Sequence, residues 1–335
     1  MTRKLSLLLG LALTSTPAFA GGFEAKTMRD TLAAREVERG LVIGKGWLEF
    51  GLGADVKIAR GEWSPDGEPV DWASTEFLYT TERLDLRYGV SRRGELYWSL
   101  IGHYIRLTDD DLGTDISQVG LGDPHFGYKF EAFRSMAPMT SLIVYGDYKA
   151  PAANESPGSY VGGPTTFRSF IMTTGTPDIT VGARGKRQVG PVAVTLGAAY
   201  VRRLSALTQY IIETDYNQFS GRIKPGDITQ FDGELLIQLG PVALQGGAIM
   251  QMRQDTRMGN TVDGWFPARD LKVVADSGGA SVDGLGGLTL NLTRGVDLVA
   301  MARVPLQGED LQFFPIEDIQ PTRGNTYSGT LEFRY

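Results

Sequence analysis

Residues 48–58, LEFGLGADVKI, and residues 326–335, TYSGTLEFRY, follow one rule of alternation. In the first stretch every second residue from Leu48 to Ile58 is apolar, and charged residues or glycines fill the positions between them. In the second stretch Leu331, Phe333 and Tyr335 alternate with polar side chains. Successive side chains of a β-strand point to opposite faces, so a period of two predicts strands with one apolar face. The alternation recurs at residues 83–90, 95–104 and 288–293, whereas helical spacing is nearly absent.

Composition narrows the class of protein. A chain of 335 residues suits either two domains or one large all-β unit. Its 43 glycines, together with a hydrophobic fraction of 42%, favour the all-β unit. The absence of cysteine excludes a disulfide scaffold and thiolate metal sites. The formal net charge of -6 argues against nucleic acid as a partner. We expect no cofactor and no enzymatic activity.

The first residues have the pattern of a secretory signal. Arg3 and Lys4 precede an apolar run, and residues 18–20, AFA, fit a small-x-small cleavage site, so we expect cleavage near Ala20. Residues 21–46 then form a lead-in with a weak apolar stripe. This lead-in is either a plug, a periplasmic tether, a short surface helix or a disordered stretch. Residues 47–335 form the predicted main domain.

Connections between the predicted strands alternate in length. Short joints fall at residues 91–94, 133–138, 189–191, 239–241 and 293–295, and long polar segments fall at residues 61–74, 107–117, 150–174, 204–226, 254–282 and 305–325. Six long and five short connections imply about twelve strands. Short periplasmic turns, longer outer loops and an even strand number are typical of outer-membrane barrels. We therefore predict an all-β fold, a single antiparallel transmembrane β-barrel in the outer membrane of a Gram-negative-type cell.

Barrel closure explains the last strand. A backbone edge cannot stay without hydrogen-bond partners in lipid, so the last strand must pair with the first. Leu331 and Phe333 then face lipid, and Tyr335 lies at the membrane interface. The ending also resembles the aromatic-terminated strand by which the barrel assembly machinery recognises its clients. That machinery and outer-membrane lipid are the expected partners.

Residues 120–130, GLGDPHFGYKF, resemble the Gly-Leu-Gly-Asp strand motif of the outer-membrane family associated with the meta-pathway of phenol degradation. The joints that begin with Gly-Pro and the segment 296–308, VDLVAMARVPLQG, support the likeness. The resemblance implies a barrel for uptake of aromatic or other hydrophobic compounds. We expect diffusive passage of a small hydrophobic solute. The alternatives are a structural or adhesive barrel with a blocked lumen and a soluble periplasmic β-protein.

Charged residues on the second face of each strand are the candidates for the lumen. They form either a structural charge network or the lining of a solute route. The candidates are Arg83, Asp85, Arg87, His103, Asp123, His125, Lys129, Arg184 and Lys186. On residues 120–130 we place Leu121, Asp123 and His125 on this inner face.

The remaining patterns of reactive residues do not indicate a metal site or a catalytic site. His103 and His125 are expected at heights about 10 Å apart, too far to share a metal ion. No Ser-His signature indicates a nucleophile. The acidic loop at residues 109–115 is either a solvated loop or a calcium site without the usual spacing.

Overall fold

The computed structural model describes residues 35–64, 66–111, 113–136, 139–152, 158–159, 175–212, 217–260, 271–273, 278–308 and 322–335. Twelve antiparallel strands form the wall of a barrel. These wall strands are β1 (Leu48–Trp63), β3 (Thr75–Gly89), β4 (Gly94–Asp109), β6 (His125–Met136), β7 (Met139–Lys149), β9 (Asp178–Val189), β10 (Val192–Arg203), β13 (Ile228–Leu239), β14 (Val242–Arg253), β17 (Gly279–Thr293), β18 (Val296–Gly308) and β19 (Thr322–Arg334).

The barrel closes through its first and last wall strands. Leu52 of β1 pairs with Leu84 of β3 on one side and with Leu331 of β19 on the other. The backbones of Leu48 and Tyr335 exchange two hydrogen bonds at the end of this seam, of 3.0 and 2.9 Å. The predicted closed barrel of twelve antiparallel strands is confirmed.

The outer surface of the wall is apolar and the inner surface is polar. Outward side chains such as Val181 and Leu196 are 54% and 64% exposed, although both are aliphatic. Inward side chains such as Glu95 and Asp297 are fully buried. This distribution, with apolar side chains outside and charged side chains inside, is expected of a barrel surrounded by lipid. Among the described residues, no helix is long and apolar enough to cross a membrane.

Four of the five short joints occur where the sequence predicts them, whereas the joint predicted at residues 133–138 is shorter, because β6 continues to Met136 and β7 begins at Met139. β9 ends at Val189 and β10 begins at Val192, and the same spacing separates β13 from β14. Gly190 and Gly240 have φ of 60° and 63° at these two turns. Side chains with a Cβ rarely adopt this left-handed region, so glycine permits a two-residue connection.

The motif at residues 120–130 is not one continuous strand. β5 (Thr114–Leu121) pairs with β4 up to Gly102, and β6 resumes the pairing with His125 opposite Ser99. Three residues, 122–124, therefore face only two residues of β4, which is the arrangement of a β-bulge. Pro124 has no N–H to donate to the ladder. The extra residue reverses the alternation, so Leu121 points outward and is 77% exposed, and its predicted inner placement was wrong.

The long outer connections contain strands that we did not predict. A second sheet is formed by β8 (Gly158–Ser159), β11 (Ala206–Ile212), β12 (Asn217–Lys224), β15 (Arg257–Asn260) and β16 (Lys272–Val273). A further short strand, β2 (Pro69–Asp71), pairs with the end of β1. Several wall strands also extend into segments predicted as long connections, and β1 has sixteen residues. The predicted signal at residues 1–20 and most of the lead-in lie outside the described residues.

Replacing Thr330 with proline tests closure. Thr330 of β19 pairs with Gly53 of β1 and with Val299 of β18. Proline removes a backbone donor at this position, and a backbone group without a partner is costly in lipid. We expect Thr330→Pro to abolish the compact, heat-modifiable band on unboiled gels, whereas Thr330→Ser retains it. Equal folded fractions of the two variants would contradict closure through this strand pair.

Candidate functional site in the barrel lumen

The candidate residues from the sequence occupy several levels of the lumen. Arg83, Asp85 and Arg87 lie on the inner face of β3, His103 on β4, His125 and Lys129 on β6, and Arg184 and Lys186 on β9. Asp123 lies in the break between β5 and β6. The structure brings Arg87 and Lys129 together at one carboxylate, whereas the others contact separate partners.

An ionic network fills the end of the barrel where the short turns lie. The Arg87 guanidinium donates to Glu95 at 2.6 Å and also binds Glu49. The Lys129 ammonium is 3.0 Å from the same Glu95 carboxylate. Arg334 of the last strand also binds Glu49, so the network spans the closing seam. Because Glu95 is fully buried, its carboxylate depends on these two cations for compensation.

Part of the lead-in crosses this end of the lumen. A short 3-10 turn, Glu36–Glu38, places Val37 in a fully buried cluster with Ala193, Leu236 and Ala243 of the inner wall. Further along, the Ile43 backbone N–H donates to Glu95 at 2.9 Å on the opposite wall. The described lead-in therefore lies inside the barrel, between β13 and β4.

Charged contacts tie the lead-in to the wall. Arg39, which is 9% exposed, binds Asp297 of β18, and Asp297 also binds Arg334. The Lys186 ammonium donates to the carbonyl oxygens of Glu36 and Arg39, at 3.2 and 2.9 Å. The lead-in thus uses the same charged groups that neutralise the wall.

A cavity of about 280 Å³ lies at mid-lumen. Its charged side is formed by Arg184, which donates to Asp232 at 2.6 Å, together with Glu234 and Lys129. Its apolar side is formed by Leu41, Ile143, Ile249 and Leu285. Tyr97, Tyr145, Gln230 and Gly233 complete the lining. The cavity therefore combines an apolar surface with charges that already have partners.

The two histidines have separate environments. The His125 ring lies 2.9 Å from Asp147, through its Nδ1 atom. The His103 ring lies 2.8 Å from the Tyr79 hydroxyl and stacks on the Tyr79 ring. On β4, His103 is four residues beyond the partner of His125, which is about 13 Å along a strand. No cluster of three or more metal-ligating side chains occurs in the part of the chain that the structure describes.

Charges continue toward the outer end of the barrel. Arg83 contacts Asp55 at 3.2 Å, and the Ser99 hydroxyl donates to Asp85 at 2.6 Å. Another group surrounds Lys149, whose ammonium is 3.3 Å from Asp123 and 3.0 Å from Asp178. The Asp123 carboxylate also accepts the backbone N–H of Ala152 at 2.7 Å. Asp123 therefore stabilises the wall next to the β5–β6 break.

The acidic loop at residues 109–115 is held by local contacts. Asp109 accepts hydrogen bonds from Ser74 and Thr75, and Asp115 receives two from Arg106, each of 2.8 Å. The hydrogen bonds from Arg106 hold the pKa of Asp115 below its usual value. These carboxylates bind neighbouring side chains on an exposed hairpin.

Several carboxylates that bind basic side chains in the lumen were not predicted from the sequence. Glu49, Glu95, Asp147, Asp232 and Asp297 all point inward, and each binds a basic side chain. Extending the alternation to every polar position of the strands would have identified their face. It would not have identified their partners, which depend on the register between strands.

Comparison with known proteins supports the fold. No family model matches the sequence, and no curated protein matches it. The crystal structure of the COG4313 outer membrane channel from Pseudomonas putida F1 is similar, with a TM-score of 0.62 and 12% sequence identity over 90% of this chain and all of that one. The translocator domain of the autotransporter NalP from Neisseria meningitidis has a TM-score of 0.44 at 11% identity, with 92% of each chain covered. The first similarity shows that the chain has an outer-membrane β-barrel fold.

Removing the Glu95 charge tests the network. Glu95→Gln leaves Arg87 and Lys129 without their shared carboxylate, and loss of one partner from a buried ion pair costs about 3 to 5 kcal/mol. We expect a fall of that order in the free energy of unfolding, measured by urea titration in phospholipid vesicles. Glu76→Gln is the control, because its pair with Arg60 is 41% and 74% exposed and should contribute about 1 kcal/mol or less. Equal losses in both variants would contradict the assignment.

Proposed function

We propose that this barrel is an outer-membrane channel for diffusive passage of small hydrophobic or aromatic solutes. The observation that carries the proposal is the mid-lumen cavity of about 280 Å³, where four aliphatic side chains and two tyrosines stand beside charges that are already paired. An enclosed apolar surface next to a few polar groups suits a small solute of mixed character. A purely structural barrel would gain more stability by filling this space with side chains.

The outer surface supports placement in a membrane. Exposed aliphatic side chains surround the wall, and a soluble β-protein would have to cover them with other structure. The resemblance of residues 120–130 to the phenol meta-pathway family favours aromatic compounds. The last strand, with Leu331, Phe333 and Tyr335, is proposed as the signal for the barrel assembly machinery, and cleavage near Ala20 remains part of the proposal.

The lead-in is proposed as an internal plug. Residues 35–46 cross the lumen and are held by Arg39, Lys186 and Glu95. A lumen that this segment blocked permanently would favour the structural or adhesive alternative. The plugged channel and the permanently blocked barrel make different predictions: only in the channel does weakening the contacts of the lead-in increase the passage of solutes.

Weakening these contacts should increase passage. In the double variant Arg39→Gln with Lys186→Met, the segment loses its ion pair with Asp297 and two hydrogen bonds from lysine. Asp297 keeps its contact with Arg334, so the wall should stay folded. We expect a severalfold faster entry into proteoliposomes of two small solutes, arabinose and the aromatic anion benzenesulfonate, and a larger single-channel conductance.

The control is Arg35→Gln, because Arg35 is 51% exposed and binds only a neighbour on the same turn, Glu38, among the contacts described. It should behave as the wild type. If neither variant passes any solute while both show heat-modifiable mobility, the lumen is blocked and the channel proposal is wrong.

A further inference from the structure

A second cavity lies beside the first. It has a volume of about 220 Å³ and is lined by residues of β19, β1, β3, β4 and β6, including Gly51, Asp85 and Thr330. The lining of the mid-lumen cavity includes Leu41 of the lead-in, whereas the lining of the second cavity contains no residue of the described lead-in. The second cavity therefore follows the closing seam, to the side of the segment.

Two side chains line both cavities. Tyr97 and Lys129 are the residues common to the two linings, so they stand at the boundary between the spaces. The Lys129 ammonium lies 4.9 Å from the centre of the Tyr97 ring, and its charge is compensated by Glu95 at 3.0 Å. The boundary is a ring covered by a paired cation, which closes the space sterically without adding net charge.

The Tyr97 ring lies flat against the wall because the facing residue is glycine. Tyr97 of β4 pairs with Gly127 of β6, and a Cβ added at residue 127 would lie 2.0 Å from the ring. Neither backbone nor a rigid ring tolerates that distance, so a larger residue would push the ring off the wall into the lumen. Gly127 thus sets how far Tyr97 extends between the two cavities.

We propose that Tyr97, positioned by Gly127, is the steric gate between the two cavities and that solutes pass along the seam beside the lead-in through this gate. The inference rests on the proposed channel function and adds the residues that limit solute size. The gate selects by size, because Lys129 and Arg87 already have carboxylate partners and offer no free charge to a solute.

Truncation of Tyr97 is the first test. Tyr97→Ala should enlarge the passage and give a severalfold faster entry of arabinose into proteoliposomes that contain the full mature chain. Tyr148→Ala is the matched control, because Tyr148 is removed in the same way but lies on the outer face and is 44% exposed. Similar entry rates for these two variants, both folded by heat-modifiable mobility, would overturn the gate.

Substitution of Gly127 is the second test, and it separates gating from damage to the wall. Gly127→Ala should slow entry in the Tyr97 background and have no effect in the Tyr97→Ala background, where no ring remains to be displaced. Gly185→Ala is the control, because a Cβ there meets no atom closer than 3.9 Å. An equal loss in both backgrounds would show wall damage and overturn the gate.

The same series in the Arg39→Gln, Lys186→Met background distinguishes the two proposals. If proteins with this background pass arabinose, but Tyr97→Ala increases the entry rate no more than Tyr148→Ala does, the proposed gate is wrong and the channel function stands. If no variant passes either arabinose or the aromatic anion benzenesulfonate, the channel function itself fails.

Discussion

Backbone hydrogen bonding in lipid is the constraint on which the rest of this structure depends. A peptide group without a partner costs several kcal/mol in hydrocarbon, so the β1–β19 seam must pair along its length. Closure then divides every wall strand into a face toward lipid and a face toward the lumen. The charged residues of this acidic chain cannot lie on the first face without cost. The charged residues are therefore concentrated on the face toward the lumen, where each buried charge needs a partner of opposite charge.

That dependence links the lead-in to the wall. Glu95 binds Arg87 and Lys129 and also accepts the Ile43 backbone N–H, while Asp297 binds both Arg39 and Arg334. The segment is thus held by groups that the barrel already needs for its own stability. A buried contact can be released without unfolding the wall only if the remaining partner still compensates the charge. Asp297 meets this condition because Arg334 stays in place.

Local alternation and the lengths of the connections were sufficient to predict the twelve-stranded wall, and the cost of backbone groups without partners in lipid predicted its closure. Alternation failed at residues 122–124, where the β-bulge adds one residue. The side chains alternate before and after the bulge, but the two stretches are out of step, so Leu121 was placed on the wrong face. The partners of Arg87 and Arg184 were beyond prediction, since they depend on the register between strands. In the second sheet β15 and β16 are too short for a periodicity to be detected, and β11 and β12 lie in the segment 204–226 that was predicted as a long connection.

The comparison with the Pseudomonas putida channel shows how little of the sequence the fold requires. At 12% identity the two chains share a fold, so the apolar outer face and the closing seam are satisfied by many sequences. Aliphatic residues on that face are interchangeable, because lipid requires an apolar surface but no particular side-chain shape. The lumen is different: the Tyr97 ring fits only against Gly127, and Arg184 requires Asp232 at a set register. Under the proposed channel function, selectivity for solutes would come from such inward pairs, which can change without altering the barrel that holds them.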